Sequence, residues 1–402
     1  MNRRAFIGDF DPGAAWQGLT AFVWYAFGAV PLQIAIAGKL GLEAGQTSSW
    51  IFIVWFSGAI SSIALSLYYR QPIPITWSIP GLVYLGTLAG QFTFAELAGA
   101  NLMAGALIVG LGVLGIGGRI LEWLPLPLAM GMFAGSILGD VTRLVKATVE
   151  DPFPAGAAVA GYLLGRALRN PRVPPVGLAV VCGGFAVLLA GRANPAPATW
   201  SLPTLTVPAM HFSLPAFIAV SLPMVVLAVG LGNVQGLGFL LAQGYRVRVN
   251  AVTVVVGINS LVNAFLGGHS AIVARTGVAI LASPDAGPPG ARYWANLVAA
   301  PLTVIIALAA SPVASLLAIL PRSYVLALAG LAILSSLQEA LEKAFGATLR
   351  FGALVAFLIA ATPFAFAGIT SAFWAIPTGL LASLLAEGDQ LRAHWRERRV
   401  GG

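Results

Sequence analysis

Two stretches decide how this chain folds: QPIPITWSIPG, Gln71–Gly81, and GGHSAIVARTG, Gly267–Gly277. Each sits between long apolar runs, and neither can be continuous helix. In the first, Pro72, Pro74 and Pro80 lack the N–H that a helix interior needs. A residue before proline also avoids the helical region, so Ile-Pro-Ile-Thr-Trp favours extended backbone. Helix is expected to restart near Ser78, with Pro80 in its first turn, where proline is tolerated. In the second, the pair Gly267–Gly268 breaks the preceding helix, and a short extended piece leads into another half helix. The plainer alternative is two ordinary kinks, one at proline and one at glycine.

The surroundings of both stretches define the solvent. The chain has 402 residues, 58% hydrophobic and only 9% charged. Soluble domains are about one-quarter charged, and so few charges cannot cover a water-soluble body of this size. An all-α polytopic membrane protein is expected. A helix crosses the hydrocarbon core in about 20 residues. Apolar runs place regular spans near 14–37, 46–69, 95–118, 123–142, 153–169, 175–191, 214–241, 249–266, 293–318, 321–341, 350–368 and 370–386. The broken segments, near 73–91 and 268–283, bring the expectation to fourteen elements. No signal peptide is expected: Arg3 and Arg4 are followed by Asp9 and Asp11, with no clear cleavage site.

Basic residues orient the spans. With fourteen crossings and both termini cytoplasmic, the inner side receives Arg3, Arg4, Arg70, Arg119, Arg166, Arg169, Arg172, Arg246, Arg248, Arg292, Lys343, Arg350, Arg392, Arg396, Arg398 and Arg399. The outer side receives only Lys39, Arg143, Lys146, Arg192 and Arg322, as the positive-inside rule requires. The net charge of +8 is dispersed rather than gathered on one run, so nucleic-acid binding is not expected. The basic tail 391–402 either touches anionic lipid or is a soluble terminus.

Extended backbone at membrane depth survives only when buried in protein or facing a cavity. One break in each half, about seven elements apart, is the mark of an inverted-repeat transporter. The repeats are expected at 1–192 and 214–390, joined by the polar, proline-rich linker 193–213. Two half-helix N-termini then converge near the midplane and favour an anion. From the breaks, Thr76, Trp77, Ser78, Gly268 and Ser270 become candidate binding residues.

Four further polar residues stand out. Asn233 and Gln235 are amides inside a long apolar run, where they either join helices or face a solute. His269, at the second break, either couples protons or holds the break closed. Arg275 lies in the half helix beyond it. A guanidinium there either meets a substrate carboxylate, pairs with an acid such as Glu339, or snorkels to the inner interface. Trp77, Phe52 and Phe265 either line a pocket for a ring or simply pack. No buried midplane carboxylate is apparent, so a coupling acid is not identified. Cys182 is the only cysteine and reads as a packed side chain. His211, His269 and His394 are too dispersed for a metal triad, and no nucleotide motif is present. Neither an enzyme nor a cofactor is expected.

The stretches YYRQPIPITWSIPG, LPLPLAMGMFAGSIL, VQGLGFLLAQGY, NAFLGGHSAIVARTGVAI and GITSAFWAIPTGL resemble the benzoate/proton symporter (BenE) family. That family is itself similar to the uracil/xanthine permeases and sulfate-type anion transporters. The resemblance covers nearly the whole chain, and the GGH element at Gly267, Gly268 and His269 is its most specific part. It implies a seven-plus-seven inverted repeat whose halves both contribute to a core domain and a gate domain. It also implies a substrate held between the two breaks and beside Gln235. Nucleobase permeases carry acids near the positions of Leu231 and Ala274. This chain is apolar at both, which argues against base recognition. Where the benzoate family often carries an amide after GGH, this chain has Ala271, Ile272 and Val273, which leaves the exact carboxylate open.

The function expected is proton-coupled secondary transport of a small organic anion, an aromatic carboxylate such as benzoate, across a bacterial-type inner membrane. An uncoupled channel on the same fold and a non-transporting scaffold or receptor are the rival readings. The expected partners are the anion, protons and membrane lipid, and a homodimer is compatible with them.

Overall fold

The two broken segments meet. In the computed structural model, which describes residues 8–117, 125–170, 173–194, 200–346, 348–366 and 369–400, strand β1 (Ile75–Trp77) pairs antiparallel with strand β2 (Ala271–Val273). Arg3, Arg4, Arg119 and Arg172 lie outside the described residues, as do residues 195–199 of the linker and parts of the spans expected at 95–118, 123–142 and 350–368.

The first half comprises α1 (Pro12–Lys39), α2 (Ala44–Tyr69), β1 with half helix α3 (Ile79–Thr87), α4 (Phe94–Val113), α5 (Leu126–Glu150), α6 (Pro154–Leu168) and α7 (Pro175–Leu189). The second comprises α8 (Leu214–Ala242), α9 (Val249–Phe265), β2 with half helix α10 (Arg275–Leu281), α11 (Tyr293–Leu308), α12 (Ala310–Ile319), α13 (Arg322–Phe345), α14 (Arg350–Ala361) and α15 (Ser371–Ala386). Between α14 and α15 runs a short antiparallel hairpin, β3 (Ala365–Phe366) and β4 (Ile369–Thr370), and α16 (Gly388–Val400) closes the chain.

Among the described residues, six helices are individually long and apolar enough to span a bilayer: α1, α2, α4, α5, α8 and α13. The bent pair α11–α12 adds a seventh if it is counted as one span. Helices α7, α9, α14 and α15 are apolar but shorter.

Packing separates the helices into two groups. Helices α1, α2, α4, α8, α9, α11 and α12 wrap the strand pair and its half helices, while α5, α6, α7, α13, α14 and α15 pack mainly on one another. Contacts of one half recur in the other: α2 against α11 answers α9 against α4, and α6 against α7 answers α14 against α15. This internal two-fold relation is what an inverted repeat produces.

Several boundaries differ from the sequence expectation, each for a local reason. The span expected at 293–318 bends by 62° between α11 and α12. Pro312, at the third position of α12, cannot donate to the preceding turn. The helix expected at 350–368 stops at Ala361, because Pro363 drives Thr362 into extended backbone. Helix α5 runs on to Glu150, so Arg143 and Lys146 belong to its last turns rather than to an outer loop. The 391–402 tail lies largely within helix α16. In the second break the extended piece falls at Ala271–Val273, beyond the glycine pair. Gly267 instead makes the turn out of α9 with φ of +80°, a conformation that glycine adopts without strain.

The strands find partners on both edges. Ser78 N donates to Ser270 O and Ala274 N to Pro74 O, both at 2.9 Å, closing the two ends of the pair. On the outer edge of β1, Ser62 Oγ accepts from Ile75 N at 2.8 Å and donates to Ile75 O at 3.0 Å. On the outer edge of β2, Ser260 Oγ accepts from Ala271 N and Asn233 Oδ1 from Val273 N, each at 2.9 Å. A side chain on Gly236 would meet Val273 Cγ1 at 2.7 Å, so glycine there lets α8 lie directly on β2. Ser260→Ala strands the buried Ala271 N–H and is expected to cost about 1–3 kcal/mol. Thermal unfolding in detergent measures this as a lowered transition. Ser315→Ala, whose hydroxyl bonds only Pro312 O in its own helix, is expected to change it little.

Candidate functional site

Half helix α3 begins with Ser78 as its N-cap: Ser78 Oγ accepts from Gly81 N at 3.0 Å, and Pro80 occupies the first turn. Half helix α10 begins differently. Its N-cap is Ala274, which has no side chain to cap with, and Arg275 is its first residue. Both half-helix starts face one cavity of about 250 Å³.

The cavity lies between the two helix groups. Trp24 and Tyr25 of α1, Trp55 of α2, Trp77 of β1, and Met130 and Phe133 of α5 make its apolar walls. Gln235 of α8, Thr76 and Thr276 supply polar atoms from the group that holds the strands. Ser335, Ser336 and Glu339 of α13 and Arg166 of α6 face them from the other group. Its volume lies below the ~300 Å³ at which drug-sized pockets begin, and suits a solute of one ring.

Two donors in these walls have no protein partner among the described residues: the Tyr25 hydroxyl and Trp77 Nε1, both buried. A buried donor left unpaired costs free energy. The charged residues sit together. Arg275 Nη1 and Lys343 Nζ both lie 2.5 Å from Glu339 Oε1. Glu339 is the only carboxylate among the described lining residues.

The candidates named from sequence divide into two sets. Gln235, Thr76, Trp77 and Arg275 line the cavity. Asn233, Ser78, Gly268, Ser270 and His269 do not; they build the frame behind it. Asn233 Oδ1 is engaged by β2. Gly268 N donates to Asn263 O at 2.7 Å. Ser270 is fully buried, with its carbonyl paired to Ser78 N. His269 is fully buried, and its Nδ1 accepts from Trp50 Nε1 at 3.0 Å. The ring proton therefore sits on Nε2, which donates to Ser78 O at 3.1 Å. His269 thus ties the second break to the first, and both of its nitrogens are committed. Phe52 stacks on Phe56 at 5.1 Å and Phe265 is 55% exposed; neither lines the cavity.

The sequence reading missed Trp24, Tyr25 and Trp55, which look like ordinary apolar residues in α1 and α2. It also missed Arg166 and the α13 serines as lining residues. Glu339 was legible as an acid able to meet Arg275.

A second cavity, of about 640 Å³, opens along the same interface. It is lined by Lys39 of α1, Asp140 and Arg143 of α5, and Arg322 of α13. Asp140 Oδ1 takes Lys39 Nζ at 3.1 Å and Arg143 Nη1 at 2.6 Å. Along α1, α5 and α13 alike, the two cavities occupy successive stretches of helix.

Comparison with known proteins gives the fold and the family. The fold is that of an all-α polytopic membrane protein with internally related halves. Similar folds are the transmembrane domain of a cyanobacterial bicarbonate transporter (BicA; TM-score 0.56, 18% identity, covering 93% of this chain and 96% of that one) and the murine Solute Carrier 26 family member A9 anion transporter, solved in the inward-facing state (TM-score 0.66, 15% identity, 95% and 69%). The description of the benzoate membrane transport protein family matches residues 8–385, and the chain belongs to that family. It is 30% identical over 367 residues to the inner membrane protein YdcO of Escherichia coli, covering 90% of this chain and 92% of that one. It is 26% identical over 376 residues to the benzoate membrane transport protein of Acinetobacter baylyi, covering 93% and 95%. Membership makes the chain a membrane transporter rather than an enzyme.

The cavity walls can be probed chemically. With the free Cys182 replaced by serine, Thr276→Cys and Ser336→Cys are expected to react with a small charged methanethiosulfonate reagent. Ser270→Cys, behind the strand pair, is expected to stay unmodified; mass spectrometry reads the difference.

Proposed function

We propose that this chain is a secondary active transporter that moves a small aromatic carboxylate, such as benzoate, together with protons across a bacterial-type inner membrane. The observation that carries this reading is the pair of cavities stacked along α1, α5 and α13. Two vestibules on one interface, with packed side chains between them, are the geometry of a carrier whose site faces one side at a time. An open pore would join them.

The chemistry of the smaller cavity supports the substrate class. Its tryptophan and phenylalanine walls suit a ring. Arg275, Gln235 and Thr76 suit a carboxylate at one end of it. The names of the relatives point the same way.

In this reading the group around the strand pair is the core domain and the group containing α5 and α13 is the gate domain. The half helices, with the short and bent spans, complete fourteen crossings in a seven-plus-seven repeat, with both termini cytoplasmic. Arg166 lies in the last turn of α6, beside its C-cap Arg169, so the smaller cavity opens to the cytoplasm. Lys39, Asp140 and Arg143 then close the outer side.

Purified protein in proteoliposomes is expected to accumulate labelled benzoate when the outside is made acid. Gln235→Ala and Arg275→Ala each remove a hydrogen bond to the anion, and Arg275→Ala a charge-assisted one. They are expected to raise the half-saturation concentration roughly tenfold and up to about a hundredfold, respectively. Wild-type uptake by both variants would contradict the site, and no uptake of any carboxylate by the wild type would contradict the function.

A further inference from the structure

A third cavity, of about 340 Å³, lies against the one that holds Lys39 and Asp140. Its walls are apolar: Phe27, Val30 and Ile34 of α1, Val180 of α7, Leu316 of α12 and Leu328 of α13. Leu320 and Val325 line both cavities, so the two meet at those side chains. Along α1 the apolar crevice takes residues from Ala26 to Ile34, and the charged cavity takes residues from Leu32 to Lys39. Ala26 to Lys39 is about 20 Å of helix, which matches one bilayer leaflet with its headgroups. The crevice is open to the side: Phe27 in its wall is 38% exposed, and Phe185 of α7, next to the lining Gly184, is 62% exposed.

The charged end favours an anion. Three cations line it, Lys39, Arg143 and Arg322, against one carboxylate, Asp140. Asp140 already takes both Lys39 and Arg143. Arg322 is exposed and has no ion-pair partner among the described residues. It is also the first residue of α13, where the helix dipole and the free first-turn N–H groups favour negative charge. Asp151, which accepts from Ser323 Oγ in the same turn at 2.6 Å, is itself paired with Arg192.

We infer that the two joined cavities hold one anionic phospholipid, with an acyl chain in the apolar crevice and the phosphate on Arg322. A small polar solute finds nothing to bind in the crevice. The one polar side chain there, Tyr324, already donates its hydroxyl to Val180 O at 2.7 Å. A zwitterionic headgroup would bring its own cation against Arg322, which an anionic headgroup does not. The seated lipid touches α1 and α12 of one packing group and α7 and α13 of the other, so its binding is linked to how the two groups sit. This goes beyond the transport reading and does not depend on it. Only the leaflet, the outer one, follows from the orientation proposed above.

The test reads binding, not transport. Purified, delipidated protein in detergent is titrated with phosphatidylglycerol and followed by native mass spectrometry. It is expected to bind one lipid per chain several-fold more tightly than phosphatidylcholine with the same acyl chains. Arg322→Gln is expected to remove that preference. Gly184→Leu is expected to weaken binding of both lipids. A Cβ at Gly184 meets only Tyr324 Oη, at 3.4 Å, so the added side chain enters the crevice without pushing a helix aside. Arg396→Gln, in the basic tail, binds as wild type. Equal binding of the two lipids by wild type, or an unchanged preference in Arg322→Gln, overturns the inference. Glycerol phosphate binding as tightly as the whole lipid also overturns it, leaving a bare phosphate site.

A second measurement uses wild-type protein alone. Phosphatidylglycerol carrying a photoactivatable acyl chain is expected to label peptides covering 26–34 and 316–328. Labelling confined to other helices overturns the inference. Labelling that benzoate suppresses would make the crevice a substrate route, and a dimeric mass with the crevice unlabelled would assign it to a second copy of the chain; either result also overturns it. All of these outcomes leave the transport reading standing.

Discussion

A backbone that leaves helix inside a membrane has to find hydrogen-bond partners within the protein, and the rest of this structure follows from how β1 and β2 do so. Each unpaired peptide group in hydrocarbon costs several kcal/mol. The two extended pieces remove most of that cost by pairing with each other. Their ends close through Ser78 N to Ser270 O and Ala274 N to Pro74 O. On their outer edges Ser62 meets Ile75 N and O, Ser260 meets Ala271 N and Asn233 meets Val273 N, which explains three polar side chains in otherwise apolar helices. Antiparallel pairing sends α3 and α10 away in opposite directions, so both half-helix starts arrive beside one cavity. The two-fold relation between the halves is this pairing seen at the scale of the whole chain.

The same frame divides rigid from exchangeable polar groups. His269 bridges Trp50 and Ser78, and Asn263 Nδ2 donates to His269 O at 2.9 Å while its Oδ1 accepts from Ser57 Oγ at 2.5 Å. These bonds are buried, mutually consistent and internal to one packing group. The Arg275–Glu339 and Lys39–Asp140 pairs are different. Each crosses between the packing groups, each is partly open to solvent, and each has a second cation on the carboxylate. A carboxylate that keeps a second cation can change partners without leaving a bare charge. Interior bonds thus hold the site in shape, and interfacial pairs are free to change partners.

Much of this was readable from local chemistry. Pro72, Pro74 and Pro80 dictate an extended piece followed by a helix capped at Ser78, and the structure has both. The scarcity of charge and the apolar runs specify a polytopic helical membrane protein. Other features were beyond the reach of sequence because they depend on what is opposite. Nothing around Asn233 or His269 distinguishes an amide or imidazole that binds solute from one that ties strands; only the register of β1 on β2 decides it. Trp24, Tyr25 and Trp55 carry no local mark, since an aromatic residue on a membrane helix faces lipid, protein or cavity with the same sequence pattern. The pairing of Arg275 with Glu339 was visible as a charge that needed an opposite. Its position across the interface was not.

The strand pair itself can be tested directly. Ile75 and Val273 stand opposite each other in the register of β1 on β2. With Cys182 replaced by serine, Ile75→Cys together with Val273→Cys is to be oxidised, cut by protease in the exposed 200–210 segment, and run on a denaturing gel. If the two breaks form one rigid clasp, the fragments stay covalently joined until reduced, and the cross-linked protein still exchanges substrate. Monodisperse protein whose fragments separate without reductant would show that the breaks do not meet.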